Sequence, residues 1–504
     1  MKRYGYLSVF SFLVLSFTAV FLGGLNQDEG WYLYAASSIA SGLKPYRDFA
    51  FTQGPVMPTV YSWFSFVWDA WGMVGARIFT LALGATGIGL LMKIAADNVG
   101  QEDKKTAAVM VGLLLGSNLY HLYYLVIPKT YALATLFLAT GFLVLNKALL
   151  FHVNSRSVLS ALTVGLSAFL FSLSAGTRIS LCMVLVAVGV TLIIKFREFK
   201  WAFLYFGIGG ALGLSLIFFP YLVDESARAG LLASFSYHSA RDGFDAVFTV
   251  GSLSRLARYY SPVFIIGGLA ASAGALRRIR EKCVASSTMF LAMILSFFAV
   301  FISQLLAPYP YEDYQVPIMG IASVVVTVAI VSAKTKFSVL LLTFGLVWIT
   351  AFGSPLLEEW TINGYDRFWA EKKESTEIEQ LRAMAKLIED IDPGGDTLLT
   401  QDLYLAVETG RRVPRGLEMG PFSILTDAQW EELLKSAPCK VAALSGYSFA
   451  INPPKCDEVP IERQMKYWYL LKENYSLVHS EKMFGQNHTT LLILKRNDDD
   501  AEAK

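Results

Sequence analysis

The sequence predicts a polytopic α-helical membrane protein that carries a C-terminal α/β domain outside the membrane. Of its 504 residues, 54% are hydrophobic and only 17% are charged, and the mean hydropathy of +0.46 is too high for an ordinary soluble protein. Long uncharged runs recur as far as residue 352, whereas charged and turn residues become frequent after Pro355. The net charge of +2 is too small to attract nucleic acid, so we expect no such partner.

About eleven apolar segments are long enough to be membrane spans. The first segment, residues 6–25, follows Lys2 and Arg3, and it is longer than the apolar core of a signal peptide. We therefore expect it to be retained. The predicted spans are residues 6–25, 76–96, 106–120, 129–149, 158–173, 179–194, 201–220, 261–275, 286–307, 316–332 and 337–352.

Basic residues lie on every second connector between these spans, most densely in residues 277–282. This positive-inside pattern predicts a cytoplasmic N-terminus. An odd number of spans then predicts that the C-terminal domain is extracytoplasmic. No other eukaryotic signal accompanies the two glycosylation sequons at Asn474 and Asn487, which favours a bacterial inner membrane.

The chain divides into a transmembrane domain, residues 1–353, with a first outer loop at residues 26–75, and an extracytoplasmic domain, residues 354–504. In the second domain, helical patterns at residues 375–391, 427–436 and 461–474 alternate with β-rich runs at residues 396–400, 440–444 and 489–495. Cys439 and Cys456 would both lie outside the cytoplasm, where a disulfide between them would contribute about 3 kcal/mol.

The first outer loop places two carboxylates, Asp28 and Glu29, directly after the first span. Apolar residues from Trp31 to Ile39 recur at helical spacing, which predicts an amphipathic helix in the membrane interface, with its aromatic face toward lipid or toward the helix bundle. Asp28 would stand at its N-terminus. From the pattern alone, Asp28 is equally a helix N-cap or a catalytic general base. No Glu or Gln follows three residues later, so Asp28 cannot begin a capping box.

The order of features in this loop resembles the GT-C glycosyltransferases, most closely the branch of protein O-mannosyltransferases and aminoarabinose transferases. These features are the acidic pair, the amphipathic helix, the sequence GLKPY at residues 42–46, a Pro-led second helix and Gly75-Ala76-Arg77 before the next span. The resemblance implies inverting transfer of a sugar from a polyprenyl-phosphate carrier to a hydroxyl acceptor at the outer face. It also implies that Asp28 is the catalytic carboxylate and Glu29 its acidic partner.

A lipid phosphate leaving group requires cationic or phenolic donors at the outer ends of spans. Some relatives have a Lys before the Pro where this chain has Gln53-Gly54-Pro55, and Arg47 is a nearby substitute. The other candidates are Lys129, Arg178, Arg255, Arg258 and Tyr314.

Several of these candidates have a second explanation. Lys129 and Arg178 could simply extend to the interface, although the short link around Arg178 favours a functional role. Arg255 and Arg258 share one helix face, which suits a donor headgroup and ordinary lipid equally. Tyr314 matches a position at which relatives carry a Tyr or His near the donor phosphate.

The residues before Tyr314 depart from the family pattern. Glu312 and Asp313 would repel a phosphate unless they were paired or bound a metal. Together with Asp28 and Glu29 they could in principle hold a divalent cation, as in some distant members of the superfamily. Nothing in their spacing requires one, and the basic residues can neutralise the phosphate directly. We therefore expect neither a cofactor nor a metal.

The expected partners are a polyprenyl-phosphate sugar, membrane lipid, and a hydroxyl-bearing glycan, lipid or protein acceptor. A lipid-linked glycan ligase or polymerase is the main alternative, and it would depend on basic residues such as Arg241 in the outer segment 221–259. A flippase or transporter is less favoured because the spans carry few ionisable residues. The sequence names neither the sugar nor the acceptor.

Overall fold

The computed structural model describes residues 2–153, 157–199, 201–239, 245–272, 284–332, 336–357, 375–422, 425–445 and 461–497. Cys456 and Arg241 lie outside these ranges, so the predicted disulfide and the role of Arg241 stay predictions.

Helices make up most of the described residues before residue 353. They are α1 (Lys2–Phe21), α2 (Gln27–Ala40), α3 (Val56–Ser62), α4 (Phe66–Asp97), α5 (Lys104–Gly116), α6 (Leu119–Val126), α7 (Thr130–Val153), α8 (Ser157–Thr177), α9 (Cys182–Ile194), α10 (Ala202–Val223), α11 (Glu225–Ser239), α12 (Ala246–Tyr259), α13 (Ser261–Ser272), α14 (Val284–Leu305), α15 (Val316–Ser332) and α16 (Lys336–Phe352). Short 3₁₀ turns occupy Gln101–Asp103, Ile179–Leu181 and Glu312–Gln315.

Among the described residues, 7 helices are long and apolar enough to cross a membrane, or 8 if the bent pair α5 and α6 is one span. Three shorter apolar helices occupy Ile179–Ile194, Ser261–Ser272 and Ser338–Phe352. Each predicted span overlaps one of these helices. The polytopic helical fold is therefore confirmed, whereas the count of eleven and the orientation in the membrane stay predictions.

Two helices differ from their predicted spans. Helix α4 is interrupted by a kink at Gly72, whose φ of 60° and ψ of −151° are not helical. A short helical segment from Phe66 precedes the kink, and the longer segment after it contains the predicted span of residues 76–96. The span predicted at residues 106–120 breaks after Gly116, and α6 continues at 73° to α5. Most of residues 121–128, expected to be a link, are therefore helical.

Helix α2 is buried on nearly every side, so its aromatic face lies toward the protein, which is one of the two orientations predicted for it. Trp31, Tyr32, Leu33 and Tyr34 are all buried. The helix packs against α3 on one side and against a short helix of the C-terminal region, Leu403–Thr409, on the other. Its aromatic stripe contacts protein rather than lipid, so α2 is held in a fixed position.

The C-terminal region contains α17 (Glu377–Ile391), α18 (Leu403–Thr409), α19 (Asp427–Ser436), β1 (Val441–Ser445), α20 (Ile461–Asn474), β2 (Tyr475–Phe484) and β3 (Thr489–Arg496). The sheet has the order β1-β3-β2 with antiparallel neighbours. The three predicted helices and the strands at residues 440–444 and 489–495 are confirmed. Residues 396–400 form only isolated bridges, including Leu399 with Ala442, and β2 and α18 were not predicted.

One hydrophobic core runs from α2 into the C-terminal region. Leu33 and Tyr61 belong to the same buried cluster as Leu399 and Ile493. The region after residue 354 therefore does not enclose a core separate from the first outer loop, and the expected boundary there stays a prediction.

Polar contacts also join the C-terminal region to the start of α2. The backbone N–H of Leu25 donates to the Glu377 carboxylate, and that of Gln27 donates to Oε1 of Gln486 at 2.8 Å. The hydroxyl of Tyr34 accepts a hydrogen bond from the backbone N–H of Val413 at 3.1 Å. The two regions therefore meet at the helix end that carries Asp28.

Gly30 allows the backbones of α2 and α18 to approach closely. A Cβ at this position would lie 2.2 Å from the backbone nitrogen of Tyr404, far inside van der Waals contact. We expect Gly30→Ala to lower stability by about 1–3 kcal/mol through overpacking. The midpoint of thermal unfolding in detergent measures this effect. Gly89→Ala is the matched control because a Cβ there meets nothing within 4 Å, and equal midpoints for the two variants would contradict the prediction.

Candidate active site

The N-terminus of α2 is capped by Asn26, not by Asp28. The Asn26 side chain accepts a hydrogen bond from the backbone N–H of Asp28 at 3.0 Å. The Glu29 carboxylate accepts one from the backbone N–H of Asn26 at 2.8 Å, which completes a capping box. The N-cap interpretation of Asp28 is therefore wrong: the cap lies two residues earlier, and the Asp28 carboxylate takes no part in it.

Glu29 forms a fully buried ion pair with Arg77 of α4. Arg77 donates from Nε to Oε2 at 3.0 Å and from Nη2 to Oε1 at 2.7 Å, and neither side chain is exposed. The guanidinium also donates to the carbonyls of Val20, Gly23 and Gly24 at the end of α1. This network joins α1, α2 and α4, and it occupies both oxygens of the Glu29 carboxylate.

Asp28 lies on a different side of α2 and forms an ion pair with Lys129, in the link between α6 and α7. The Lys129 ammonium is 2.7 Å from Oδ2 of Asp28 and 2.7 Å from Oδ2 of Asp313. Tyr131 donates its hydroxyl hydrogen to the same Asp313 oxygen at 2.8 Å. The side chains of Lys129 and Asp313 are 7% and 9% exposed, and that of Asp28 is 24% exposed. Asp28 is therefore the more accessible carboxylate.

Arg178, directly after α8, is held by aromatic rings. Its guanidinium carbon lies 5.0 Å from the ring centre of Tyr131 and 4.4 Å from that of Tyr314. The buried Nε has no hydrogen-bond partner among the described residues. Such a donor in a buried site favours an anionic ligand.

Tyr32 lies one helical turn after Asp28, on the same face of α2. Burial raises the pKa of the Tyr32 phenol, and the negative charge of Asp28 raises it further. Tyr32 therefore keeps its proton at neutral pH, and its hydroxyl is available as a hydrogen-bond donor.

Both carboxylates that depart from the family pattern have partners. Asp313 is paired with Lys129, and Glu312 accepts a hydrogen bond from Nε of Arg255 at 2.9 Å. Ser252, on the same helix as Arg255, donates to the other Glu312 oxygen at 3.4 Å. The turn that carries Tyr314 is therefore fixed from two sides, and the repulsion expected from its carboxylates is neutralised.

The remaining two candidates contact other groups. Nη2 of Arg258 donates to the carbonyl of Gly353 at 3.4 Å. Arg47 forms a half-exposed pair with Asp48 at 2.8 Å and lies 3.9 Å from Asp224. The hydrogen bond from Arg47 lowers the pKa of the Asp48 carboxyl. None of these contacts joins Arg47 or Arg258 to Asp28 or Arg178.

The sequence predictions and the geometry agree for part of the site. The structure brings together Asp28, Lys129, Arg178 and Tyr314, and it adds Tyr32, Tyr131 and Asp313. Asp313 was noted in the sequence only as a departure from the family pattern. The negative charge of Asp313 suggests a basic partner, but the neighbouring sequence does not show which basic residue that partner is.

The residues present do not fit a divalent cation. No group of three or more His, Cys, Asp or Glu side chains in the described part of the chain is arranged to bind a metal. Asp28 and Asp313 share the Lys129 ammonium, and Glu29 and Glu312 are paired with arginines. An oxygen-rich site for Mg²⁺ or Ca²⁺ requires more ligands than this.

No protein-family model and no curated protein matches the sequence. The fold is similar to ArnT from Cupriavidus metallidurans bound to undecaprenyl phosphate, with a TM-score of 0.61, 12% identity and 98% of both chains covered. The apo state of that protein matches with a TM-score of 0.60 and 13% identity, over 98% of both chains. The Archaeoglobus fulgidus oligosaccharyltransferase tethered with an acceptor peptide matches with a TM-score of 0.50 and 10% identity, over 94% of this chain and 73% of that one.

Identities this low show the fold alone, but the ArnT match extends over nearly the whole of both chains, including the C-terminal region. The features of the first outer loop predicted a resemblance to the aminoarabinose transferases, and the match to ArnT agrees with that prediction. The chain therefore has the fold seen in the ArnT structures.

Proposed function

We propose that this protein transfers a sugar, with inversion, from a polyprenyl-phosphate donor to a hydroxyl acceptor at the outer face of a bacterial inner membrane. The observation that carries the proposal is the placement of an accessible carboxylate, Asp28, beside two buried cations, Lys129 and Arg178. The similarity to an ArnT structure that contains undecaprenyl phosphate supports a lipid-linked donor. The oligosaccharyltransferase tethered with an acceptor peptide supports a second substrate.

Asp28 is the proposed general base. The acceptor oxygen attacks the anomeric carbon on the face opposite the phosphate, and its proton passes to the Asp28 carboxylate. Among the described residues, the one ion pair of the Asp28 side chain is with Lys129, through Oδ2. Oδ1 is therefore available to accept the proton. Asp313 is less suitable because it is more deeply buried and already accepts from Lys129 and Tyr131.

Arg178 is the proposed site for the leaving phosphate. As the bond between the anomeric carbon and the phosphate oxygen breaks, negative charge grows on the polyprenyl phosphate. The Arg178 guanidinium, held against Tyr131 and Tyr314, needs no reorganisation to stabilise that charge. Lys129 contributes a second positive charge, and the hydroxyl of Tyr32 is a further donor within the same site.

Glu29 is proposed as a positioning residue rather than a catalytic one. Both of its oxygens are bonded to Arg77 in a site closed to solvent. Through this pair it sets the direction of α2 and thus the position of Asp28. Arg47, Arg255 and Arg258 are exposed and are bonded to other protein groups, which favours a place at the edge of the site over contact with the leaving phosphate.

The rate of sugar transfer by the Arg178→Ala variant tests the role of the guanidinium. The purified variant would be reconstituted in vesicles with a series of polyprenyl-phosphate monosaccharides, and release of polyprenyl phosphate would be measured. We expect the rate to fall about 10²- to 10³-fold, as for the loss of a preorganised donor. Arg228→Ala removes an exposed arginine of α11 and is the matched control, with a rate close to that of the wild type. An unchanged rate for Arg178→Ala would contradict the proposed phosphate site.

A second pair of variants distinguishes the proposed mechanism from that of a lipid-linked glycan ligase. If Arg241→Ala abolished transfer while Asp28→Asn remained active, catalysis would depend on the later outer segment and not on the first outer loop. The contacts of the described residues give no specific support to a transporter.

A further inference from the structure

We infer that Lys129 is the built-in cation of this site: its ammonium occupies the position between Asp28 and Asp313 that a divalent ion would otherwise occupy, so that transfer requires no metal. The inference rests on the proposed function for its activity measurements. Its binding measurements do not depend on that function.

The geometry of Lys129 is that of a bridging cation. Its Nζ lies at the same distance, 2.7 Å, from one oxygen of each carboxylate. One carboxylate belongs to the start of α2 and the other to the turn before α15. An ammonium has three hydrogens to donate and can therefore serve both acceptors at once. Lys129 thus joins two distant parts of the chain, as a bound metal ion commonly does.

The charges of the site are balanced without an added ion. Asp28 and Asp313 contribute two negative charges, and Lys129 and Arg178 contribute two positive charges. The two cations together therefore supply the charge of one divalent ion. Both lie against Tyr131, with Lys129 Nζ and the Arg178 guanidinium carbon each 5.0 Å from its ring centre.

Asp313 and Tyr131 fix the position of the ammonium. Tyr131 is two residues after Lys129, and its hydroxyl donates to the Asp313 oxygen that the ammonium also contacts. The centre of the Tyr124 ring lies 5.5 Å from Nζ. Asp313 is therefore a positioning residue that acts through Lys129.

Removing the ammonium would leave two carboxylates, each within 2.7 Å of the vacated position, in a partly buried site. Like charges at this separation are costly, and a divalent cation relieves that cost. Without the ammonium, both carboxylates can bind a metal ion whose remaining ligands are water molecules. We therefore expect Lys129→Ala to acquire a metal site that the wild type lacks.

Mn²⁺ binding to the full chain in detergent, followed by electron paramagnetic resonance, is the primary experiment. The wild type is expected to bind no Mn²⁺ at this site. Lys129→Ala is expected to bind about one ion per chain and to unfold at a higher temperature when Mn²⁺ is present. Lys129→Ala combined with Asp313→Asn removes one carboxylate and is expected to lose both effects. Lys129→Gln, which keeps more of the side-chain volume, provides a second test if the alanine variant does not fold.

Transfer rates provide the second readout. EDTA is expected to leave the wild-type rate unchanged within about twofold. Lys129→Ala is expected to lose about 100-fold in rate and to regain part of it with Mn²⁺ or Mg²⁺. Loss of wild-type transfer in EDTA with recovery on adding Mg²⁺ would overturn the inference, as would the absence of Mn²⁺ binding by both Lys129 variants. If no donor supports wild-type transfer, the proposed function fails, and Mn²⁺ binding still decides this inference.

Discussion

Asp28→Asn is expected to reduce sugar transfer by about 10²- to 10⁴-fold, because an amide cannot accept the proton of the acceptor hydroxyl. The helix that carries Asp28 should still form, since Asn26 and Glu29 make its capping box. The measurement is the initial rate at saturating donor in reconstituted vesicles, with release of polyprenyl phosphate and transfer of the sugar followed together.

Asp48→Asn is the matched control for this change. Asp48 lies in the same outer loop and is paired with Arg47 at the surface. The sugar-transfer rate of the Asp48→Asn variant should therefore stay within about twofold of the wild-type rate. Thermal unfolding of both variants shows whether the fold is intact. A folded Asp28→Asn protein that transfers sugar at the wild-type rate would rule out Asp28 as the base.

Glu29→Gln is expected to lower the stability of the protein by about 3–5 kcal/mol, because the Arg77 guanidinium would remain buried without a counter-charge. Both side chains are closed to solvent, so water cannot replace the lost carboxylate. Thermal unfolding in detergent and the rate of proteolysis in the first outer loop would both report the loss.

Two further variants separate this effect from a simple loss of charge. Glu29→Gln combined with Arg77→Met removes both charges and should recover part of the stability, since no unpaired ion is left. Lys93→Met breaks an exposed pair with Asp97 in the same helix as Arg77 and should change stability by less than about 1 kcal/mol. Unfolding of Glu29→Gln at the wild-type midpoint would show that the pair is not needed for the fold.

The helices were predictable because a bilayer requires long uncharged runs, and those runs are visible in the sequence. Their irregularities were not. The bend at Gly72 depends on a single residue with positive φ, and the break after Gly116 depends on how α6 packs on its neighbours. Strand β2 was missed because most of its side chains are not buried, so it lacks the apolar pattern that identified β3.

The site was predictable to the extent that its chemistry is local. Asp28 follows the first span directly, and Lys129 and Arg178 lie at span ends, where a lipid phosphate is expected. The pairing of these groups was not visible, because Lys129 and Asp313 are 184 residues apart and Arg77 and Glu29 are 48 apart. The different roles of Asp28 and Glu29 follow from the turn of about 100° between neighbours on a helix.

The contacts between the C-terminal region and α2 also have a consequence for the order of synthesis. Helix α2 leaves the ribosome early, but Glu377 and Gln486, which accept hydrogen bonds from the backbone of Leu25 and Gln27, are made much later. Gly30 and Tyr404 likewise meet only when both halves exist. The segment that carries Asp28 therefore reaches its final packing only after translation is nearly complete. A nascent chain, already inserted in the membrane and surrounded by lipid, lacks a finished site until its last strands have folded.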